Sequence, residues 1–221
     1  SAMSQQLINL LLNATWDTLY MVAVSLLLGT LVGGPIGIFL ATSRRGELFA
    51  APWLNKVSSI VVNAARSIPF IILAVAIVPF TRALAGTSIG TTAAMVPLTI
   101  SAIPFIARIV EGAIRQVEPG LIEAAQAMGA RPFQIIRKVL VPEAMSAIIN
   151  GLTLTAISLI GYSAMVGAIG GGGLGDVGIR YGYQRFRPDV MLTVVIVLIA
   201  LVQIVQLAGD FLAARFDKRH R

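Results

Sequence analysis

"EAAQAMGARPFQIIRKVLVP", Glu123 to Pro142, is a compact polar stretch between long runs that carry almost no charge. Its punctuation predicts two short helices. Glu123 falls in the first turn of the first, where the helix dipole favours an acid. Gly129 stops that helix, because glycine takes the left-handed cap conformation cheaply. Pro132 suits the first turn of a second helix, and Pro142 is expected to end it. Leu121, Ile122, Ala125 and Met128 lie within roughly 120° of one another at 100° per residue, which makes one apolar face. A hairpin clamped between Pro119 and Pro142, with a narrow face of small residues, reads as a docking knob for another protein. A helix resting on lipid headgroups is the competing reading. It fits less well, since such faces usually carry larger side chains.

The rest of the 221-residue chain explains why such a knob is needed. It is 57% hydrophobic and 12% charged, with a mean hydropathy of +0.85. Soluble domains are about 45–50% apolar and about 25% charged, so the solvent of this surface is lipid. With no cysteine, disulfides and thiolate-bound metals are excluded. The one histidine, His220 in "FDKRHR", reads as a solvated tail residue. No basic start leads into a short apolar core with a small-residue cleavage site, so no signal peptide is expected.

A span needs roughly 20 mostly apolar residues. Five segments qualify: 18–41, 57–81, 90–107, 145–169 and 190–214. The second is the weakest, since Arg66 and Arg82 bracket its most apolar part, and it works as a span with both arginines snorkelling. The fold class is therefore an all-α membrane protein of five transmembrane helices, residues 1–221 forming a single transmembrane domain with a cytoplasmic hairpin at 119–142. Of the 17 Lys and Arg residues, 13 fall on one side: in the 43–66 loop, in 108–143 and in the C-terminal tail. The other four are Arg82, Arg180, Arg185 and Arg187. The positive-inside bias puts the larger group in the cytoplasm, with the N-terminus outside and the C-terminus inside. The net charge of +7 follows from this asymmetry and from anionic headgroups; no nucleic acid is implied.

Gly29, Gly33 and Gly37 repeat at four-residue spacing on one face of the first span. Such a face lets a second backbone approach closely, from this chain or from a second copy. Pro69, Pro97 and Pro104 are expected to kink spans two and three, which lipid tolerates only beside protein or a cavity.

The order Glu123-Ala124-Ala125, Gly129 and Pro142 resembles the EAA loop of ABC importer permeases. Val139 and Val141 stand where that loop usually has Ile and Leu. "RSIPFIILAVAIVPFTR", "GTSIG", "PFIAR", "AMGARPFQIIRKVLVPEA" and "GYSAMVGAIGGGGLG…YGY" are similar to permease subunits of methionine ABC importers, over about residues 63–183. The resemblance implies a multi-pass protein of the bacterial inner membrane that works as a homodimer. A homodimeric ATP-binding-cassette ATPase would hold ATP and Mg, so this chain needs no cofactor and is not itself an enzyme. A periplasmic or lipid-anchored binding protein would deliver methionine, with D-methionine and close analogues as further candidates. Glu123, Ala124, Ala125, Met128, Gly129, Arg131 and Pro132 would then seat in a cleft of the ATPase.

The residues agree that energy comes from elsewhere. None of the three lysines follows a glycine, so the phosphate-cradling Gly-Lys-Ser/Thr is missing. "GGGGLG", residues 170–175, satisfies the dinucleotide fingerprint formally but follows a span rather than a strand. It reads as a tight, mobile turn near an outer gate, or as an ordinary loop. No catalytic constellation and no metal-ligand cluster is expected. An ion-coupled carrier of a small amino acid is the second class, and it would need an ionisable group at mid-depth. Asp17, Glu111, Asp176, Asp189 and Asp210 all sit at or near span ends. A permease for another amino acid and a membrane scaffold are further alternatives; the scaffold leaves the kinked spans unexplained. Candidate pathway residues near the bilayer middle are Thr99, Ser101, Ser158, Tyr162, Ser163 and Met165. Two copies of Met165 meeting on a dimer axis would make a soft plug, while plain helix packing explains any one of these residues as well.

Overall fold

The computed structural model describes residues 2–217, so the tail holding His220 lies outside the described residues. Among the described residues four helices are long and apolar enough to cross a membrane: Ser4–Thr42, Thr91–Arg115, Pro132–Ala168 and Pro188–Phe216. We name the elements α1 (Ala2–Thr42), α2 (Pro52–Ser67), α3 (Phe70–Ala76), α4 (Val78–Ala85), α5 (Thr91–Arg115), α6 (Pro119–Ala127), α7 (Pro132–Ile135), α8 (Val141–Ala168), α9 (Gly173–Val177) and α10 (Pro188–Phe216). Single π-turns occupy Ile136–Leu140 and Gly178–Tyr183.

The expected second span, 57–81, is not one rod. Helix α2 ends at Ser67 and the chain bends by 97° into α3. Pro69 caps the start of α3 with extended backbone before it, as the ring forces on a preceding residue. A kink was expected there; the structure makes it a full break. Pro97 and Pro104 behave differently, both lying buried inside the continuous α5. Neighbours on every side hold α5 together, because it packs on α1, α2, α3, α4 and α8. A proline in the middle of a bundle is supported where one at its edge breaks the helix.

Helix α5 is the axis of the fold, and α1 is its main neighbour. Gly29, Gly33 and Gly37 sit against Ala102, Ile103, Ala107 and Val110 of α5. A Cβ at Gly33 would lie 2.6 Å from the Ile103 carbonyl oxygen, and one at Gly37 would lie 2.5 Å from that of Ala107. Hydrogen side chains are therefore what bring the two backbones together. Large apolar side chains stand exposed on α1 and α10: Leu12, Leu27 and Leu31 on α1, and Ile196, Ile204 and Phe211 on α10.

A charged clasp ties the C-terminal ends of α1 and α5 to each other and to α2. Glu111, buried to 6% exposure, meets Arg108 at 2.5 Å, Arg115 at 3.3 Å and Arg44 at 3.6 Å. Arg115 also pairs with Glu47 at 3.1 Å and donates to the Leu40 carbonyl at 2.8 Å. Asn55 donates to the same carbonyl at 2.9 Å, so two donors satisfy the end of α1. Arg108 reaches α2, donating to Ser59 Oγ at 2.6 Å and Asn63 Oδ1 at 2.9 Å. Removing one member of a buried ion cluster strands the others at a cost of about 3–5 kcal/mol. Glu111→Ala is expected to lower the thermal midpoint of the purified protein in detergent by many degrees. Arg44→Ala, on a side chain 56% exposed, should cost below about 1 kcal/mol. Equal losses in the two variants would contradict this account.

The turn at 170–175 makes two hydrogen bonds to other elements. Gly90 N–H donates to the Gly170 carbonyl at 2.9 Å, and Leu174 N–H donates to Thr18 Oγ1 at 2.9 Å. The turn thereby joins the start of α5 and the end of α8 to the middle of α1 at Thr18.

Candidate functional site

The hairpin after α5 differs from its sequence expectation in three ways. Helix α6 opens at Pro119, so Glu123 is its fifth residue and lies in the second turn instead of the first. Pro142 does not end the second arm. Residues Pro132–Ala168 run as one helix of 37 residues, and α7 passes through the π-turn straight into α8. The π-turn is what admits the proline. Val141 N–H donates to the Ile136 carbonyl, five residues back, and the widened turn gives the Pro142 ring room against the preceding carbonyls. The hairpin is thus an extension of a spanning rod.

The third difference is the apolar face. Ala125 is buried at 4% and Ile122 is partly buried against the core, together with Ile135, Ile136 and Leu140. Met128, at the end of α6 where helical periodicity lapses, is 82% exposed. The four residues expected on one face are therefore divided, two holding the hairpin onto the protein and Met128 facing outward, with Leu121 partly exposed. Phe133, in α7 after the turn, is 67% exposed. Sequence reading missed it, although a phenylalanine directly after Pro132 in a polar hairpin was a usable signal. Glu123, Ala124, Gly129, Arg131 and Pro132 are all exposed. Gly129 makes the turn with φ +78°, and Arg131 N–H donates to Gln134 Oε1 at 2.8 Å to start α7. Glu123 makes no hydrogen bond or ion pair among the described residues, and it borders a cavity of about 330 Å³ shared with Glu47 and Arg115.

The pathway candidates do not all converge. Ser101 and Tyr162 line two adjoining cavities, one of about 230 Å³ between α5 and α8 and one of about 190 Å³ between the α2–α3 break and those two helices. Ser158 lines the first. Tyr162 stacks on Phe70 with ring centroids 4.6 Å apart and planes 8° from parallel. Ser163 is buried with its hydroxyl donating to the Ile160 carbonyl at 2.6 Å. Thr99 Oγ1 is buried without a partner among the described residues. Met165 is 46% exposed and borders neither cavity. Two residues that the sequence does not mark as pathway candidates, Phe105 and Arg66, belong to the same place: both line the second cavity. The Arg66 guanidinium lies 5.2 Å from the Phe105 ring centroid.

Comparison with known proteins supplies the context for these two places. A family model described as "Binding-protein-dependent transport system inner membrane component" matches residues 33–221. The chain is 54% identical over 211 residues to the probable D-methionine transport system permease protein MetI of Vibrio cholerae, covering 96% of this chain and 94% of the relative. It is 52% identical over 165 residues to the D-methionine transport system permease protein MetI of Escherichia coli K12, covering 75% and 76%. Its fold superposes on a chain of the MetNI methionine ABC transporter, solved in inward-facing conformations, with a TM-score of 0.93 and 49% identity over 96% of this chain and 98% of that one.

Proposed function

Because the chain belongs to the family of binding-protein-dependent transport system inner membrane components, we propose that it is the permease subunit of an ABC importer for methionine in the bacterial inner membrane. The single observation that carries the reading is 54% identity over 96% of the chain to a D-methionine permease. D-methionine is accordingly part of the cargo. The permease works with a second copy of itself, a pair of ATPase subunits and a substrate-binding protein at the outer face. The chain is not catalytic; ATP and Mg are held by the ATPase.

Five spans follow if the α2–α4 segment is counted as a broken second span, with the N-terminus outside and the C-terminus inside; residues 1–221 then form one transmembrane domain. The charged clasp and the hairpin share the cytoplasmic side. Glu123, Met128, Gly129, Arg131 and Pro132, with Phe133 added, form the surface that the ATPase pushes, and Ala125 roots that surface in the protein. Displacement of the hairpin reaches the cavities without passing through a loop. A 37-residue helix is about 55 Å long, and it carries the push from Phe133 to Tyr162 as one body.

In this reading Met165, exposed on α8, meets its counterpart in the second copy and acts as a plug, with Ser163 and Thr99 supporting the helices behind it. Met165→Ala is expected to raise passive methionine leak in vesicles, or to lower methionine taken up per ATP hydrolysed. Unchanged leak and stoichiometry would remove Met165 from the gate.

The importer reading is tested by co-expressing the chain with its ATPase and binding protein and reconstituting the complex in vesicles. Labelled methionine is expected to accumulate only with ATP present. Uptake of a different amino acid in its place would change the cargo and leave the importer reading standing. Uptake driven by a proton or sodium gradient without ATP would overturn it.

A further inference from the structure

A cation stands at the α2–α3 break, on a side chain that this chain alone leaves exposed. Arg66 is the penultimate residue of α2 and lies over Phe105. Phe105 is ten residues from Arg115 at the inner end of α5 and fourteen from Thr91 at the outer end, about 15 and 21 Å along the axis. A charge at this depth is costly and is ordinarily paired or functional. Arg108 and Arg115, nearer the end of the same helix, have Glu111. Among the described residues Arg66 has no carboxylate partner and makes no hydrogen bond.

The surroundings fit an anion with an apolar body attached. The cavity that holds Arg66 is bordered by the broken backbone at Ser67, Ile68 and Pro69. Irregular backbone at membrane depth is tolerated where it lines a cavity or meets protein. Ser101, Phe105 and Tyr162 are shared with the second cavity, whose far wall is Ile109, Leu154 and Leu159. One end of the chamber is therefore cationic, the middle carries a hydroxyl and two aromatic rings, and the other end is apolar. The last carbonyls of α2, freed by the break, present the negative end of a helix dipole near the guanidinium. That pair of opposite charges complements a carboxylate and an ammonium on adjacent atoms.

We infer that Arg66 holds the carboxylate of an α-amino acid in transit, with the side chain lying in the apolar cavity between α5 and α8. This rests on the importer reading and adds to it a substrate site within the permease itself. A guanidinium presents a planar fork matched to a carboxylate, and the unbranched apolar cargo fits a narrow cavity bounded by Ile and Leu.

The test uses the absence of native cysteine in the chain. Ser67→Cys places one thiol on the wall of the Arg66 cavity. In the complete complex in vesicles, the rate of its modification by a methanethiosulfonate reagent is measured on this chain. Methionine is expected to slow modification and methioninamide, which lacks the carboxylate, is not. Adding Arg66→Gln should abolish the protection. In the cysteine-free background, Arg66→Gln should cut methionine uptake by about tenfold or more, as expected for the loss of a charge-assisted bond. ATP hydrolysis stimulated by the loaded binding protein should be retained. Where Arg66→Gln does not assemble, Arg66→Lys decides. Carboxylate-selective protection in that variant supports the site, and its absence overturns it. Equal modification with and without methionine, or undiminished uptake in Arg66→Gln, also overturns it. Failure of the unsubstituted complex to accumulate methionine would instead count against the importer reading.

Discussion

Gly37→Leu is expected to leave almost no assembled protein in the membrane. Its Cβ would meet the Ala107 carbonyl oxygen at 2.5 Å and Val110 Cβ at 2.7 Å, and neither can yield without moving the axis of the fold. Overpacking against side chains costs typically 1–3 kcal/mol. Here the obstacle is backbone, and the seam joins the two most extensively packed helices, so the loss should exceed that range. Gly33→Leu should behave alike. The control lies one residue along: a Cβ at Gly34 would have nothing within 4 Å, so Gly34→Ala should be recovered at the normal level. Recovery of monodisperse protein from detergent measures all three. A stable Gly37→Leu would mean that α1 and α5 separate in the membrane.

The second large effect is expected at the hairpin, and it should spare folding. Met128 and Phe133 are exposed, and Glu123 has no intramolecular partner among the described residues. Met128→Lys should therefore leave insertion and thermal stability unchanged. An interface anchor of this kind is worth about 2 kcal/mol or more, roughly thirtyfold in affinity. The variant is expected to lose most of its ATPase in pull-down and nearly all ATP-driven uptake. Glu123→Lys should abolish uptake by reversing the charge on the same surface. Full uptake in both variants, or a cross-link map placing residues 121–141 against lipid during turnover, would remove the docking argument. Misfolding of Met128→Lys would show that the residue is buried in the assembled permease in some other way.

Much of this architecture was legible before any coordinates, because membrane physics writes strongly. The runs behind α1, α5, α8 and α10 are long and nearly uncharged. Glycine at three consecutive four-residue steps marked the seam face, although the sequence left open whether the partner was this chain or another. What stayed illegible depended on three-dimensional surroundings. Pro69, Pro97 and Pro104 look equivalent in sequence, but one stands where neighbours are few and two stand inside the bundle. Pro142 looks like a terminator until a π-turn makes room for it. Arg66 looks like a residue snorkelling at an interface, and its place over Phe105 depends on how α2 packs against α5. Met128 was assigned to the wrong side because helical phase was extended one step past the helix.

The uninterrupted rod from Pro132 to Ala168 also sets a compass bearing. Inserting or deleting one residue between Phe133 and Tyr162 would swing the hairpin by about 100° around the axis relative to the cavity wall. Length in this stretch is thus fixed by rotation, unlike length in a connecting loop, which a flexible chain absorbs. The five-residue π-turn acts as a vernier on that bearing, offsetting the two ends by part of a turn while leaving the shaft stiff.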